Sequence, residues 1–479
     1  MQDPQPPQGQ FHEGTLKLPA QISRMDVKRR RAQTSPYRTR RGTRVPARLL
    51  PPPAIREMLV GEQQRTVSPP TVTGLDRGAA PKWLTSAAMD SVATAEPRPF
   101  TDAEYEARLD RIRRRMSRLG LDVLMVFRPS SIEYVCGYHT AETAPQPLVV
   151  TDTATTLYVP DLEVGRALAS ARVDHLRYCA YSDALQGLRM FLDDAVGGLP
   201  RTERVGIETA HTSTPPRAVE ALAGCEVTVV DADHLVERER LVLSPAEIRC
   251  VEQAAVATRT GERAAVVAAC ESGATDSSVA AAIAAALIEN ANSVSAWGPV
   301  VVTGARAGIP HSSWRGQPLS TGPTFLEFAG THHRYHAPVM RTVLRGRPDA
   351  VDRVLAELSR NAVAAVLAHA KPGVPCSQVA AHASESLGPL PEDVVFHHLF
   401  GYPVGLAHKP HWMDGVPFHI TGDNHEPLQE GMVFHIPGSF RSFGRRCVGL
   451  SQTFVVERDG ARVLTHGPAD IVELGEHTS

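Results

Sequence analysis

Residues 322–343, GPTFLEFAGTHHRYHAPVMRTV, predict two strands that flank a polar turn. Glu327 lies in the apolar run TFLEF, where an ionised carboxylate is costly to bury unless it has a partner or a catalytic task. His332, His333 and His336 follow it closely. The segment is therefore a metal site, a catalytic carboxylate or an ordinary pair of strands, and the rest of the chain has to decide among them.

The composition is that of a soluble globular protein with two or three domains. The chain has 479 residues, of which 42% are hydrophobic and 21% charged, and its formal charge is −2. Nothing in this balance points to nucleic acid or a membrane as a partner, and no apolar run is long enough to span a bilayer. The seven cysteines lack the paired spacing of a zinc site or a disulfide framework, so we expect a reduced, cytoplasmic location.

The first 97 residues differ in composition from the rest of the chain. They are rich in Pro, Arg, Gln and Ser and show little apolar periodicity, which predicts a disordered extension over residues 1–97. Many cations and no acid occur between Lys28 and Arg48. This cationic run is either an arm that binds nucleic acid or an anionic surface, or an unstructured extension without a binding role.

Two folded domains follow the extension. Residues 98–240 alternate short strand and helix patterns, starting with a helix that Thr101 caps and Gly120 ends, and predict an α/β domain without a Gly-rich phosphate loop. Residues 241–479 begin with a long helix at Ser244 or Pro245 and a second helix. Strands, a further helical stretch and more strands come next, which predicts an internally repeated α+β domain with a curved antiparallel sheet.

Several stretches of the second domain resemble the pita-bread hydrolases, the family of aminopeptidase P, prolidase, methionine aminopeptidase and creatinase. The resemblance is carried, in order, by SPAEIRCVEQA, VVTGARAGIPHSSWRGQPLSTGPTFLEFAG, RYHAPVMRT, FGYPVGLAH, LQEGMVFHIPG and VGLSQTFVVERDG. RLDRIRRRMSRLGLDVLMVFRPSSIEYVCGY is similar to the creatinase-type N-terminal domain. The resemblance implies an α+β pita-bread catalytic domain behind an α/β creatinase-type domain, and a homodimer.

Peptidases of that family bind two metal ions through two Asp, one His and two Glu. Carried over to this chain, these ligand positions fall on Glu327, Pro338, Tyr402, Pro437 or a neighbour, and Ser451. One carboxylate cannot hold two divalent ions or acidify a bridging water, so we expect no metal and no cofactor. A relocated site remains the alternative, built from the dense histidines His397, His398, His408, His411, His419, His425 and His435 with those near Glu327.

Losing the metal ligands while keeping the frame resembles the non-peptidase members, creatinase and ectoine hydrolase. GYPVGLAHKPHW, MVFHIPG and RYHAPVMRT are similar to the ectoine-hydrolase branch, although Gln452 departs from it. The resemblance implies a metal-independent hydrolase of a C–N bond in a small cyclic amidine such as ectoine. The alternatives are a creatinase-like amidinohydrolase, a Xaa-Pro metallopeptidase and a catalytically inactive member that binds a small molecule.

Candidate site residues follow from the residue chemistry and the resemblance together. Glu327 either attacks the amidinium carbon or orients the attacking water. His311 is the first choice for proton transfer, and His336 and His435 are second choices. Aromatic and hydroxyl groups would bind the substrate, with Trp314 as a further aromatic candidate. The residues expected to bind substrate are Tyr335, Tyr402, His435 and Trp412.

Overall fold

The computed structural model describes residues 69–76, 81–96, 98–141, 144–180, 184–197, 203–225, 227–319 and 322–474. No helix among them is long and apolar enough to cross a membrane.

The N-terminal half is built around a seven-stranded mixed sheet with the order β1-β5-β4-β3-β2-β6-β7. Its strands are β1 (Thr71–Gly74), β2 (Val123–Val126), β3 (Leu148–Thr151), β4 (Thr155–Pro160), β5 (His175–Cys179), β6 (Arg204–Ile207) and β7 (Thr228–Asp231). Its helices are α1 (Ser86–Ala93), α2 (Asp102–Leu119), α3 (Pro129–Cys136), α4 (Val164–Ser170), α5 (Ala184–Gly197), α6 (Pro216–Ala223) and α7 (Leu235–Glu239). Strand β3 runs antiparallel to both neighbours, and the other pairs are parallel.

The predicted start of order near residue 98 is wrong. Strand β1 pairs in parallel with β5, with Thr71 opposite His175, and so forms one edge of the sheet. Helix α1 follows, with Thr85 as its N-cap. A four-residue strand is too short to give a periodic signal of its own, and pairing with a distant strand decides its structure. Residues 1–68, including the run from Lys28 to Arg48, lie outside the described residues.

The two helix starts predicted from capping residues are confirmed. The Thr101 side chain accepts a hydrogen bond from the Glu104 amide, and Gly120 ends α2 in the left-handed conformation. Ser244 caps the long helix of the second domain, and Glu247 returns the hydrogen bond to the Ser244 amide. The local sequence therefore determines both starts.

The C-terminal half has the predicted succession of a helix pair, strands, helices and strands. Its helices are α8 (Pro245–Cys270), α9 (Asp276–Asn290), α10 (Ala350–His369) and α11 (Cys376–Leu387). The strands up to the middle of the domain are β8 (Val300–Thr303), β9 (Gly322–His332), β10 (Tyr335–Arg345), β11 (Val394–Val395) and β12 (Tyr402–Pro403). The later strands are β13 (Val433–Ile436), β14 (Ser439–Ser442), β15 (Arg446–Gly449), β16 (Gln452–Glu457), β17 (Gly460–Val463) and β18 (Val472–Leu474). They form sheets of order β18-β10-β9-β8, β11-β14-β15 and β12-β13-β16-β17.

The hairpin of β9 and β10 has two different faces. Leu326 and Phe328 pack in an apolar cluster with α8 and α9. Glu327 alternates with them and therefore lies on the opposite face, with Met340 as its partner in β10. At Gly330 a Cβ atom would lie 2.4 Å from the Ala254 carbonyl oxygen of α8, so only glycine allows this approach.

A buried ion pair joins the two halves of the chain. The Arg108 guanidinium of α2 lies 3.4 Å from the Glu247 carboxylate of α8, and both side chains are almost completely buried. The Tyr335 hydroxyl at the start of β10 donates a hydrogen bond to the same carboxylate at 2.7 Å. Burial raises the pKa of Tyr335 well above its usual value, so the hydroxyl keeps its proton.

We expect Arg108→Met to lower the free energy of unfolding by about 3 kcal/mol or more, because it leaves the Glu247 carboxylate buried without its cation. Arg114→Met on the exposed face of the same helix is the matched control, with an expected change below about 0.5 kcal/mol. Urea unfolding of the three proteins measures both values. Equal stability of the two variants would show that the ion pair does not stabilise the junction.

Candidate functional site

Glu327 is a buried carboxylate without a close partner. Its side chain is 7% exposed and makes no hydrogen bond to any described residue. Burial raises its pKa to about 7, and the positive charge of Arg441 opposes this shift. A carboxyl group with this pKa can both accept and donate a proton near neutral pH.

A chain of hydrogen bonds crosses the sheet beside Glu327. The Trp412 indole N–H donates to the Tyr402 hydroxyl at 3.0 Å, and this hydroxyl lies 2.6 Å from Nδ1 of His435. Nε2 of His435 lies 2.7 Å from the Ser451 hydroxyl, which also accepts a bond from the Met340 amide. All four side chains that form these hydrogen bonds are buried. This group of Trp412, Tyr402, His435 and Ser451 is called the Tyr402 network below.

The Tyr402 network is electrically neutral, and its hydrogen bonds can run in either of two directions. Burial lowers the pKa of His435 to about 3, so its ring is neutral and has one donor and one acceptor nitrogen. In one direction the Tyr402 hydroxyl donates to Nδ1 of His435, Nε2 of His435 donates to Ser451, and the Ser451 hydroxyl hydrogen takes no part in the network. In the other, Ser451 donates to His435, and the Tyr402 hydrogen is free to point towards a ligand. The negative charge of Glu327 contributes to raising the pKa of Tyr402, after burial, so the two groups lie close together.

The side chains at the expected metal positions do not fit a pair of divalent ions. Of these positions only Glu327 has a carboxylate, and the Pro338 side chain has no donor atom at all. The hydroxyls of Tyr402 and Ser451 are bonded to His435. Within the described part of the chain no three His, Cys, Asp or Glu residues are arranged to hold a metal ion. A bridging metal centre is therefore incompatible with this set of side chains.

Two of the three histidines proposed for proton transfer, His336 and His311, differ in burial and in hydrogen bonding. His336 is fully buried, and its Nε2 accepts a hydrogen bond from the Ala296 amide while Nδ1 faces the Gly405 carbonyl. Burial lowers its pKa to about 4. Both nitrogens are thus occupied, which favours a structural role over the catalytic one predicted. His311 is exposed, and its ring centre lies 5.0 Å from that of Trp297.

Two aromatic residues expected to touch substrate have other neighbours. Tyr335 bonds Glu247 at the junction of the two halves, so the structure does not bring it to Glu327. Trp412 is only 1% exposed and donates a hydrogen bond to Tyr402, so it orients Tyr402 and does not present an aromatic surface to a substrate. Trp314 is half exposed. Trp297, which sequence reasoning missed, packs beside Met340 and Phe325 on the Glu327 face.

Two further residues lie near the site: His411, which the sequence suggests only as a possible metal ligand, and Arg441, which no sequence pattern indicates. The His411 ring centre lies 4.0 Å from that of Trp297, and burial lowers its pKa to about 4. The only sequence signal for His411 is its place in the histidine-rich run. Arg441, on β14, acts electrostatically on Glu327, and no motif distinguishes it from the neighbouring arginines.

The N-terminal half holds the loop that carries Trp412. Arg240 donates to the Asp414 carboxylate at 2.8 Å and to the Ser130 hydroxyl at 2.9 Å. Arg128 donates to the Asp414 carbonyl at 2.6 Å. The loop is thus fixed from outside its own domain, and so is the tryptophan that orients Tyr402.

Comparison with known proteins places this architecture among hydrolases. Residues 249–458 match the model of metallopeptidase family M24, and residues 108–242 match the creatinase/prolidase N-terminal domain. An uncharacterised hydrolase/peptidase, y4tM, of Sinorhizobium fredii is 30% identical over 394 residues, covering 78% of this chain and 98% of the relative.

Two further relatives have more specific names. The ectoine hydrolase of Halomonas elongata is 26% identical over 403 residues, covering 78% of this chain and 98% of the relative. The crystal structure of dipeptidase PepE from Mycobacterium ulcerans is 26% identical and superposes with a TM-score of 0.66, covering 78% of this chain and 99% of that one.

The raised pKa of Glu327 has a consequence for stability. Its usual pKa is 4.5 and its pKa in the folded chain is about 7, so the folded chain holds this proton more tightly than the unfolded chain. The stabilisation is complete below pH 4.5 and is lost as the pH rises to about 7. We therefore expect the free energy of unfolding of Glu327→Gln to rise by roughly 3 kcal/mol relative to that of the wild type as the pH increases from about 4 to about 8.

Chemical unfolding of both proteins at the two pH values measures this change. The matched control is Glu430→Gln, an exposed glutamate of the same domain, whose stability should stay parallel to that of the wild type. A constant difference between Glu327→Gln and the wild type would contradict the raised pKa. All other titrating groups are shared by the proteins and cancel in the comparison.

Proposed function

We propose that this chain, which belongs to metallopeptidase family M24, hydrolyses a C–N bond of a small cyclic amidine without using a metal ion. That it is a hydrolase of this family follows from its relatives, and the finer assignment is our proposal. The observation that carries the proposal is the isolated Glu327 carboxylate beside a neutral network at positions where the peptidases have metal ligands.

An amidinium suits a site with one carboxylate. Its carbon is already electrophilic, whereas an amide needs a Lewis acid or an oxyanion donor to reach comparable reactivity. The positive charge of an amidinium also pairs with the Glu327 carboxylate, which lacks a hydrogen-bonding partner among the described residues. A peptide bond would gain neither advantage here.

Glu327 can carry the proton through both halves of the reaction. Water adds to the amidinium carbon, and its proton passes to the carboxylate. Glu327 then returns this proton to the ring nitrogen, and the C–N bond breaks. The proton left on the new hydroxyl passes through the Glu327 carboxylate to the released amine, so the product is a neutral amide that carries an ammonium group. A pKa of about 7 suits these transfers, which favours this route over direct attack by the carboxylate.

The Tyr402 network positions the reacting groups. In the direction that leaves the Tyr402 hydrogen free, this hydroxyl can donate to the oxygen of the attacking water as the C–O bond forms. The His311 side chain is exposed to solvent and lies next to Trp297, so it can exchange protons between the site and solvent.

The relatives divide between two activities. One is named an ectoine hydrolase and another a dipeptidase, each 26% identical to this chain. The side chains at the metal positions support the first of these activities, because the proposed reaction requires no metal. The small-molecule substrate, the homodimer and the cytoplasmic location stay predictions.

We expect purified protein to hydrolyse ectoine or a related cyclic amidine, and to do so equally well with and without a chelator. The panel is ectoine, hydroxyectoine, creatine and a Xaa-Pro dipeptide, with products identified by mass spectrometry. Urea from creatine would indicate an amidinohydrolase. Chelator-sensitive cleavage of the dipeptide would overturn the proposal in favour of a metallopeptidase, and binding without any product would indicate an inactive member.

Glu327→Gln should lower kcat on the substrate that the panel identifies by at least about 1,000-fold, because a neutral amide cannot accept the proton of water. Glu327→Asp keeps the charge and retracts it by one methylene, and a similar loss there would show that placement matters. The exposed Glu430→Gln is again the control and should keep full activity. Near-normal turnover by Glu327→Gln would exclude Glu327 as the catalytic group.

A further inference from the structure

A cationic side chain faces the same site as Glu327. Arg441 lies on β14, paired with Cys447 of β15. Its guanidinium carbon lies 5.5 Å from the ring centre of Phe325, which is two residues before Glu327 on the same face of β9. The charges of both Arg441 and Glu327 also influence the Cys447 thiol, in opposite directions. The three groups therefore share one neighbourhood.

Arg441 lacks the carboxylate partner that nearby arginines have. Arg341 forms an ion pair with Glu262 at 2.6 Å, and Arg446 donates to two aspartates. Within the described residues Arg441 forms no ion pair, and its hydrogen bond goes to the Ser439 hydroxyl at 3.0 Å. Its Nε is buried and has no hydrogen-bond partner there. An unpaired N–H in such a position costs free energy that a ligand would recover.

The site therefore contains two opposite charges that are not in contact. Glu327 and Arg441 influence each other electrostatically but form no ion pair. A ligand with one charge of each sign can satisfy both side chains at once. A ligand with only a positive charge would leave the guanidinium unpaired, and a guanidinium pairs best with a carboxylate through two parallel hydrogen bonds.

We propose that Arg441 binds the carboxylate of the substrate and makes this site specific for zwitterions that combine an amidinium with a carboxylate. This inference rests on the proposed function and adds a specificity residue to it. Glu327 faces the amidinium, where the bond breaks, and Arg441 holds the other end of the molecule. The distance between the two side chains then determines which carbon lies next to Glu327.

The test compares two cyclic amidines that differ only in the carboxylate, namely ectoine and methyltetrahydropyrimidine. Arg441→Gln should raise the KM for ectoine roughly 10- to 100-fold and leave its kcat within a few-fold. The KM for the analogue without a carboxylate should not change, so the variant loses the preference of the wild type for ectoine. Arg441→Lys keeps the charge without the planar fork and should restore part of the affinity.

The control variant is Arg445→Gln. Arg445 is a neighbouring arginine whose side chain is 75% exposed and whose ion pair with Asp393 is long, at 3.9 Å. Its kinetics should match those of the wild type, and thermal melts verify that all variants are folded. An ectoine KM that Arg441→Gln leaves unchanged, or that rises equally for both amidines, would overturn the inference.

The same protein set separates this inference from the proposed function. If the wild type hydrolyses neither amidine, the proposed function fails by itself, and calorimetric titration with ectoine and with creatine then tests Arg441. Binding of either zwitterion that weakens at least 10-fold in Arg441→Gln, but not in Arg445→Gln, would support the role of Arg441. Binding that does not depend on Arg441, or no binding of either zwitterion to the wild type, would overturn it.

Discussion

The site depends on one constraint, the register of the β9–β10 hairpin against α8. The Thr258 hydroxyl donates to the Ala337 carbonyl of β10 at 2.7 Å and accepts from the Gly330 amide of β9 at 2.9 Å. This single buried side chain therefore fixes both strands to the helix. Because side chains alternate along a strand, a shift by one residue would turn Glu327 into the apolar cluster and Phe328 into the site. The chemistry of the site follows from that register.

A neutral hydrogen-bond network includes Tyr402 and Ser451, two of the positions that the family resemblance assigns to metal ligands. Several carboxylates close together need metal ions to offset their repulsion. Here Tyr402, His435 and Ser451 satisfy one another without a net charge. Glu327 is left as the carboxylate of the site, and burial rather than a charged neighbour sets its proton affinity. A single group can then serve as both acid and base.

The sequence predicts what local patterns control. Thr101, Gly120 and Ser244 mark their helix ends because caps act within one turn, and Glu327 is conspicuous because it interrupts an apolar strand. Local patterns do not predict which distant element a side chain contacts. Tyr335 and His336 are adjacent in the sequence, yet one bonds Glu247 and the other the Ala296 amide. Arg441 has no local signature, since its importance comes from Phe325 and Glu327, more than 100 residues earlier in the chain.

The triad of Arg108, Glu247 and Tyr335 links the two halves of the chain, and we expect this link to make their unfolding cooperative. Tyr335 is the first residue of β10, so the contact that docks α2 also fixes the end of the strand that pairs with Glu327. Opening the junction would release the hairpin, and a loosened hairpin would release α2. Slow amide hydrogen exchange in α2 and in β9 should then have the same opening free energy, and a ligand bound at Glu327 would protect amides in a helix that it never touches.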